Sequence, residues 1–168
     1  MIKTRNGGGT TSIGFLPLPD FSMMVLSSCV ELLRMAIRLA GQTLYECFVV
    51  GDVQTPVQSN GGFSVTPDLS FESAEKLDAV FVCSGSQFKQ AANCRIADWL
   101  GDLANCDMVL GAAGTGTYLL SSAGVLDGCR CTIHWEHLAS LRQAYPDLII
   151  SSELFEIDNK RYTCAGGK

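Results

Sequence analysis

The segment that most constrains the fold of this chain is a glycine-rich stretch at residues 111–138. It follows an apolar run at 108–110 and contains Gly111, Gly114 and Gly116 before apolar residues recur at near-helical spacing. Glycine between a strand and a helix permits unusual backbone angles and close approach of another backbone. It also leaves backbone amides and the positive end of a helix dipole facing outward. The stretch therefore predicts a strand, a tight turn and a helix, with a ligand-binding surface at the turn.

Apolar segments of strand length alternate with amphipathic segments of helix length along the rest of the chain. The main predicted strands are 12–16, 44–51, 77–83, 108–110, 148–150, 154–157 and 162–164, and the longer predicted helices are 23–40, 96–104 and 138–145. This alternation is typical of an α/β fold with a doubly wound, mostly parallel sheet and helices on both faces. Ligands bind such sheets beyond the carboxyl ends of the strands, so we expect a site between loops 17–21, 84–86 and 112–117.

The bulk composition fits one globular domain. The chain has 168 residues, of which 47% are hydrophobic and 17% are charged, enough for a sizeable core. The polar, glycine-rich segment 1–12 is predicted to be a flexible tail, which leaves 13–168 as the domain. Its apolar runs end well before the roughly 18 residues of a membrane span, and no signal peptide is apparent. We therefore predict a cytoplasmic protein without membrane contact.

Charge and cysteine usage exclude further classes of function. The net charge of −5 disfavours direct DNA binding by this segment, because contact with phosphates needs a basic face. The eight cysteines include no Cys-x-x-Cys pair, and they are predicted to be reduced and mostly buried. His134 and His137 lack a carboxylate pair at a known ligand spacing, so neither a metal site nor a cofactor is predicted.

Five short motifs, taken in order, resemble those of a known superfamily. They are GFL at 14–16, ELLRMA at 31–36, AGVLDG at 123–128, TIHWE at 132–136 and TCAGG at 163–167. Together they resemble the class I glutamine amidotransferase-like (PfpI-like) superfamily. The resemblance is closer still to the amidase-like sensor domain at the N-terminus of GlxA-type AraC-family transcriptional regulators.

This resemblance implies a flavodoxin-like, class I glutamine amidotransferase-like fold that senses a small molecule and is not an enzyme. Regulators of this branch respond to nitrogenous metabolites such as arginine, carnitine or glycine betaine. The resemblance also implies a homodimer that contacts DNA through a pair of helix-turn-helix units. These units and a last core helix are expected beyond residue 168, so residues 13–168 are predicted to be the amidase-like sensing domain alone.

The turn after the glycine-rich strand is the first candidate site. Enzymes of the superfamily carry a cysteine nucleophile there, exposed by a strained turn and activated by a helix start. The resemblance aligns that position with Gly114 and the partner histidine with His134, which implies that the nucleophile is lost. The backbone of Gly114, Thr115 and Gly116 and the hydroxyls of Thr115 and Thr117 are predicted to bind a carboxylate. The alternative is that the glycines only let the helix pack closely against the sheet.

The segment after a further predicted strand at 131–133 supplies three more candidates. His134 is predicted to line the pocket, and Glu136 to pair with a cationic group of the ligand. Trp135 either stacks on that cation or fills the core, and we favour the core.

Four candidates come from the first half of the chain. Glu31 is expected near the turn because of the resemblance, although a solvated pair with Arg34 is the alternative. Asp20 and Phe21, which follow the first strand, and Ser84, which follows the strand at 77–83, are expected in the opposite walls of the crevice.

Two other functions stay open at the level of sequence. One is a stand-alone hydrolase or amidase of the superfamily that uses Cys83 or a water-activating pair of Glu31 and His134. The other is a structural or chaperone-like dimer that binds no small ligand.

Overall fold

A computed structural model describes residues 9–88 and 93–166 of the chain. Residues 1–8 of the predicted tail, and Gly167 and Lys168 after the last predicted strand, lie outside the described residues. The elements follow in chain order, with the strands first: β1 (Thr11–Pro17), β2 (Tyr45–Val49), β3 (Val57–Gln58), β4 (Ser64–Val65), β5 (Ala79–Cys83), β6 (Val109–Ala113), β7 (Arg130–Cys131), β8 (Ile149–Ile150), β9 (Phe155–Asp158) and β10 (Arg161–Cys164). The helices are α1 (Met23–Ala40), α2 (Phe71–Ala74), α3 (Cys94–Asn105), α4 (Thr117–Ser122), a 3-10 turn (Trp135–His137) and α5 (Leu138–Ala144).

The central sheet has six strands in the order β2-β1-β5-β6-β10-β9. All of its pairs are parallel except that of β10 with β9 at one edge. The chain runs from β1 outward to β2, then crosses back to β5 on the other side of β1, so the strand order reverses between β1 and β5. This is the predicted doubly wound, mostly parallel α/β sheet, and the prediction is confirmed.

Alternate residues of the central strands build the two halves of the core. Val80 and Val82 of β5 pack with residues of α3 and α4 on one face. Ala79 and Cys83 pack with Leu26 of α1 on the other face. Side chains of a strand alternate between its faces, and this apolar strand is buried on both of them as a central parallel strand requires.

Local signals place the ends of α1 well. The Ser22 hydroxyl accepts a hydrogen bond from the Val25 amide, and Gly41 closes the helix in a left-handed conformation; a serine before a helix and a glycine after it are common end signals. The outer part of the predicted apolar face stays exposed, however, and Leu39 is 82% exposed.

The boundary of the predicted tail needs correction. Thr11 and Ser12 belong to β1, where they pair with Tyr45 and Glu46 of β2, and Thr11 is buried.

None of the helices in the described residues is both long and apolar enough to cross a membrane.

Candidate functional site

A cavity of about 150 Å³ opens at the carboxyl ends of the central strands. Its walls come from the start of α1, the loop after β5, the turn after β6 and the 3-10 turn, together with Asn60 from the β3–β4 hairpin and Gly166. This is the place where the strand order reverses, and crevices at such points are the usual ligand sites of α/β sheets. The volume is close to that of a cavity that holds a benzene-sized molecule, so it suits a ligand of few heavy atoms.

The turn after β6 forms the floor of this cavity. β6 ends at Ala113, and Gly114 follows with a φ of +70°, a left-handed conformation that glycine adopts without strain. The Gly114 carbonyl accepts a hydrogen bond of 3.3 Å from the His134 amide, and the Gly114 amide donates one of 2.9 Å to the Cys164 carbonyl. These bonds hold three separate parts of the chain together around the turn.

The two threonine hydroxyls of this turn are already occupied. The Thr115 hydroxyl donates to the Gly85 carbonyl, and the Thr117 hydroxyl donates to the Thr132 carbonyl at 2.8 Å. Thr117 is fully buried and lies outside the cavity lining, whereas Thr115 belongs to it. The prediction that these hydroxyls bind a carboxylate is therefore wrong, because they hold the turn to the loop after β5 and to the chain after β7.

Two backbone amides of the turn are also occupied by hydrogen bonds within the protein. The Gly114 amide is bonded to Cys164, and the Gly116 amide donates to the Ala113 carbonyl at 3.4 Å. Gly116 also lies outside the cavity lining, and a side chain there would meet the backbone of Val82. Gly116 thus follows the alternative set out above, in which glycine allows close packing of α4 against the sheet.

Two buried polar atoms do face the cavity without partners. The Ser84 hydroxyl, in a residue only 1% exposed, and Nδ1 of His134 have no hydrogen-bond partner among the described residues. Oε2 of Glu136 lies 3.6 Å from His134 Nδ1, within the distance of an ion pair. Buried polar atoms are almost always hydrogen-bonded, and both residues line the cavity. They mark the part of its wall where a bound molecule would find hydrogen-bonding groups.

The 3-10 turn determines which side chains of the HWEH segment reach the cavity. The His137 amide donates to the His134 carbonyl at 2.8 Å, and this i to i+3 bond brings the two side chains onto the same face of the turn. Their ring centroids are 6.0 Å apart. His134, Glu136 and His137 all line the cavity, which agrees with the positions predicted for His134 and Glu136.

Trp135 points away from this face. It is 56% exposed and does not belong to the cavity lining, although its ring lies 5.7 Å from that of His134. The preference for a core position is therefore wrong, because the short 3-10 turn directs residue 135 outward while it aligns residues 134 and 137.

Three predicted residues from the first half of the chain lie outside the cavity. Glu31 is on the exposed face of α1, where it forms an ion pair of 2.7 Å with Arg34, and this hydrogen-bonded pairing lowers the pKa of the Glu31 carboxyl. Phe21 is fully buried in the core. Asp20, with a φ of +64°, lies behind the wall, where its carbonyl packs against Gly85. The pocket role of Glu31 is thus corrected to its alternative, and Asp20 and Phe21 support the wall from behind.

Cys83 is unsuited to nucleophilic chemistry. It is fully buried at the end of β5, and it faces the core and not the crevice. A hydrogen bond with the Cys29 side chain, together with burial, raises the pKa of the Cys83 thiol well above its ordinary value. A thiol with a raised pKa carries little of the reactive thiolate.

We expect iodoacetamide to leave Cys83 unmodified in the native protein. The exposed thiols of Cys94, Cys106 and Cys164 should react first, because alkylation needs an accessible thiolate. Peptide mass spectrometry after a timed reaction measures each site, and the same reaction in denaturant supplies the fully labelled control. Labelling of native Cys83 at the rate of Cys94 would revive the hydrolase hypothesis that uses it.

Several residues of the cavity were missed at the level of sequence. They include Ser22, Met24, Val25, Asn60 and His137, whereas Gly85 and Ser86 belong to the predicted loop 84–86. Asn60 comes from the β3–β4 hairpin, which no local motif connects with the turn after β6. His137 had a usable signal, because it lies three residues after His134 in a segment that starts a helix.

A second cavity, of about 300 Å³, lies between α2 and α3 and is lined by Phe71, Glu72, Glu75, Asn93, Arg95, Ile96 and Trp99. It is larger, but none of its lining residues belongs to the turn after β6 or to the 3-10 turn. Trp99 in its lining also has a buried nitrogen, Nε1, without a hydrogen-bond partner among the described residues. We regard the first cavity as the functional site because it lies where the strand order reverses and because two such atoms, from Ser84 and His134, belong to its lining.

Comparison with known proteins agrees with the fold. The model of the DJ-1/PfpI family matches residues 20–166. The HTH-type transcriptional regulator GbdR of Pseudomonas aeruginosa is 38% identical over 156 residues, which cover 93% of this chain and 42% of that protein. The HTH-type transcriptional regulator GlxA of Rhizobium meliloti is 36% identical over 169 residues, covering 99% of this chain and 52% of that protein.

A solved structure of a regulator has the same fold as this chain. The crystal structure of an AraC family transcriptional regulator from Pseudomonas putida superimposes with a TM-score of 0.81 at 28% identity, and the match covers 93% of this chain and 84% of that chain. The chain spans about half the length of the curated relatives described above.

Proposed function

The chain belongs to the DJ-1/PfpI family, and we propose that it is the ligand-sensing domain of an AraC-family transcriptional regulator. Its relatives GbdR and GlxA are HTH-type regulators of about twice its length. DNA contact would come from helix-turn-helix units outside these residues, which suits the net charge of −5 because a DNA-binding surface needs basic residues. Homodimerisation and a cytoplasmic location belong to the same proposal.

The observation that carries the proposal is the pair of unpartnered polar atoms in the cavity. Leaving a buried donor or acceptor unsatisfied costs about 1–3 kcal/mol, a cost that a bound molecule removes from the liganded state. The Ser84 hydroxyl and His134 Nδ1 would therefore bind a polar ligand more readily than a surface that already satisfies its own hydrogen bonds.

The turn after β6 supports a binding role in preference to a catalytic one. Gly114 occupies the tight turn with a φ of +70° and has no side chain that could act as a nucleophile. Cys83 is buried among apolar residues. We infer that the cysteine of the related enzymes is replaced by Gly114 and that this chain is not an enzyme.

The lining of the cavity suits a small molecule with separated positive and negative groups. Glu136 offers a carboxylate at the cavity wall, which would attract a cationic nitrogen. The Ser84 hydroxyl and an imidazole of His134 are suitable donors for a carboxylate. Glycine betaine, carnitine and arginine, the ligand class implied by the resemblance, all carry both groups, and the volume of about 150 Å³ favours the smallest of them.

We expect a thermal-melt panel to identify a stabilising compound of this class. A ligand at 100 times its dissociation constant adds about 2.7 kcal/mol to the stability of the folded state, which corresponds to a rise in Tm of roughly 5–11 °C for a chain of this size. The panel contains glycine betaine, carnitine and L-arginine, with choline and acetate as compounds that carry only one of the two charges. No shift with any zwitterion would refute the sensor proposal.

The substitution Ser84→Ala separates ligand binding from stability. The Ser84 hydroxyl has no partner in the described structure, so its loss should leave the free protein as stable as before or slightly more stable. Affinity for the compound found in the panel should fall about tenfold, since a hydrogen bond to a charged group contributes about 1.5 kcal/mol or more. Calorimetric titration measures this change, and the exposed Ser27→Ala substitution on α1 is the matched control. Equal affinity of the Ser84→Ala variant and the control would place the ligand elsewhere.

A further inference from the structure

We propose that His134, Glu136 and His137 form a binding site for a divalent transition metal ion, such as Zn²⁺, on the wall of the cavity. One ligand atom from each of the three residues lies within 4.8 Å of the other two. Two imidazoles and a carboxylate are a ligand set that binds zinc in many proteins and leaves a fourth position open. This inference goes beyond the sensor function and does not depend on it.

The backbone brings the three ligands together. The i to i+3 hydrogen bond of the 3-10 turn, 2.8 Å between the His137 amide and the His134 carbonyl, brings the two imidazoles to one face, with their ring centroids 6.0 Å apart. Glu136 lies between them in sequence, and its Oε2 is 3.6 Å from His134 Nδ1. From the sequence, no metal site is predicted because the histidines lack a separate carboxylate pair. The structure shows that Glu136, between the two histidines, can supply the carboxylate ligand instead.

The distances allow an ion after small side-chain movements. Ligand atoms at about 2.0–2.2 Å from a tetrahedral zinc ion lie roughly 3.3 Å from one another. The separation of 3.6 Å between His134 and Glu136 is already close to this value. Glu136 is 56% exposed, so its carboxylate can rotate toward the two imidazoles without moving the backbone.

The surroundings give the two histidines different roles. His134 Nδ1 is buried and has no hydrogen-bond partner among the described residues, as expected for a nitrogen atom available to a metal ion. The ring of His137 packs edge-on against the buried Phe88, with 4.8 Å between the ring centroids, which restricts its orientation. All three residues line the cavity, so an ion there would offer its open position to water or to an anionic group of a molecule bound beside it.

The chain permits a sharp test because it contains only these two histidines. The purified protein is titrated with Co²⁺ as a spectroscopic probe and with Zn²⁺ by calorimetry. The exposed thiols, which also bind these ions, are removed by the background substitutions Cys94→Ser, Cys106→Ser and Cys164→Ser. We expect one equivalent of Co²⁺ to give the visible bands of a low-symmetry site without a thiolate charge-transfer band. The imidazole NMR signals of both histidines should broaden at the same equivalent.

The variants Glu136→Gln and His137→Gln should bind Zn²⁺ much more weakly. Changes in the outer shell of a metal site cost roughly 10- to 100-fold in affinity, so loss of a direct ligand should cost more than that. The exposed Asp98→Asn substitution on α3 is the control for loss of one carboxylate, and Glu136→Gln, at an exposed position, keeps the test valid if His137→Gln fails to fold. Unchanged Zn²⁺ affinity in Glu136→Gln, or thiolate bands with Co²⁺, would overturn the proposal.

These experiments distinguish a failure of the metal-site proposal from a failure of the sensor proposal. The thermal-melt panel is run with and without a chelator, so a response to a zwitterion that survives chelation supports the sensor without the metal. One equivalent of Zn²⁺ bound by the histidines in a protein that responds to no compound supports the metal site alone.

Discussion

We expect the substitution Gly116→Ala to lower the free energy of unfolding by about 3 kcal/mol, at the upper end of the usual cost of overpacking. A Cβ atom at this position would lie 2.6 Å from the carbonyl oxygen of Val82 and 3.1 Å from its Cγ1. Val82 pairs with β1 on one side and β6 on the other, so its backbone cannot move aside without disturbing the centre of the sheet. Gly116 itself has a φ of −59°, which any residue can adopt, so the cost is steric.

Urea unfolding followed by circular dichroism measures this change, and a Tm lower by roughly 6–12 °C should accompany it. Gly101→Ala is the matched control, because a Cβ there would lie 3.7 Å from its nearest neighbour, an ordinary contact. Gly101 lies inside α3, where alanine favours the helix by about 1 kcal/mol relative to glycine. The two substitutions should therefore change stability in opposite directions. A Gly116→Ala variant as stable as the parent would show that α4 can move away from the sheet.

The contrast between Gly116 and Glu31 shows what the sequence could and could not predict. The turn after β6 was predictable, because glycines between an apolar strand and a helix are a local signal. The direction of Glu31 was not, since a residue beside the apolar stripe of α1 can face either the cavity or solvent. Its ion pair with Arg34, three residues along the helix, is also a local signal in the sequence. That signal does not indicate where the pocket lies.

The candidate site was harder to predict than the fold because it is assembled from distant parts of the chain. Ser84 follows β5, Asn60 comes from a hairpin, and His134 follows β7, so only the tertiary structure brings them together. The roles of Thr115 and Thr117 were misjudged for the same reason. Their hydroxyls looked free in sequence, but they donate to carbonyls 30 and 15 residues away.

We expect the substitution Gly114→Ala to reduce the stabilisation of the protein by its ligand by about half or more, at a cost in stability of about 1–2 kcal/mol. The cost arises because Gly114 has a φ of +70°, and a left-handed conformation is unfavourable by that amount for a residue with a Cβ. The added methyl group would lie 3.3 Å from the Ser84 carbonyl and 3.4 Å from Val25 Cγ2. Both Ser84 and Val25 line the cavity, so the methyl group would take up part of the small space available to the ligand.

Gly128→Ala provides the control that separates these two effects. Gly128 has a φ of +73° and no atom within 4 Å of the position of its Cβ, so its substitution carries the same conformational cost without entering the cavity. Both variants should lose similar stability as free proteins. Only Gly114→Ala should bind the most stabilising compound of the panel at least tenfold more weakly, a difference of about 1.4 kcal/mol. Equal binding by the two variants would contradict a ligand site at this turn.

The same geometry explains why a sensor would keep glycine at residue 114. Any side chain there projects from the floor of a cavity of about 150 Å³, between the Ser84 carbonyl and the start of α1. A cysteine in this position would place its thiol where the ligand of a sensor has to bind. Relative to a cysteine, glycine at this position therefore leaves more room in the cavity and supplies no nucleophile. A Gly114→Cys variant should for that reason weaken ligand binding as Gly114→Ala does, whether or not its thiol becomes reactive.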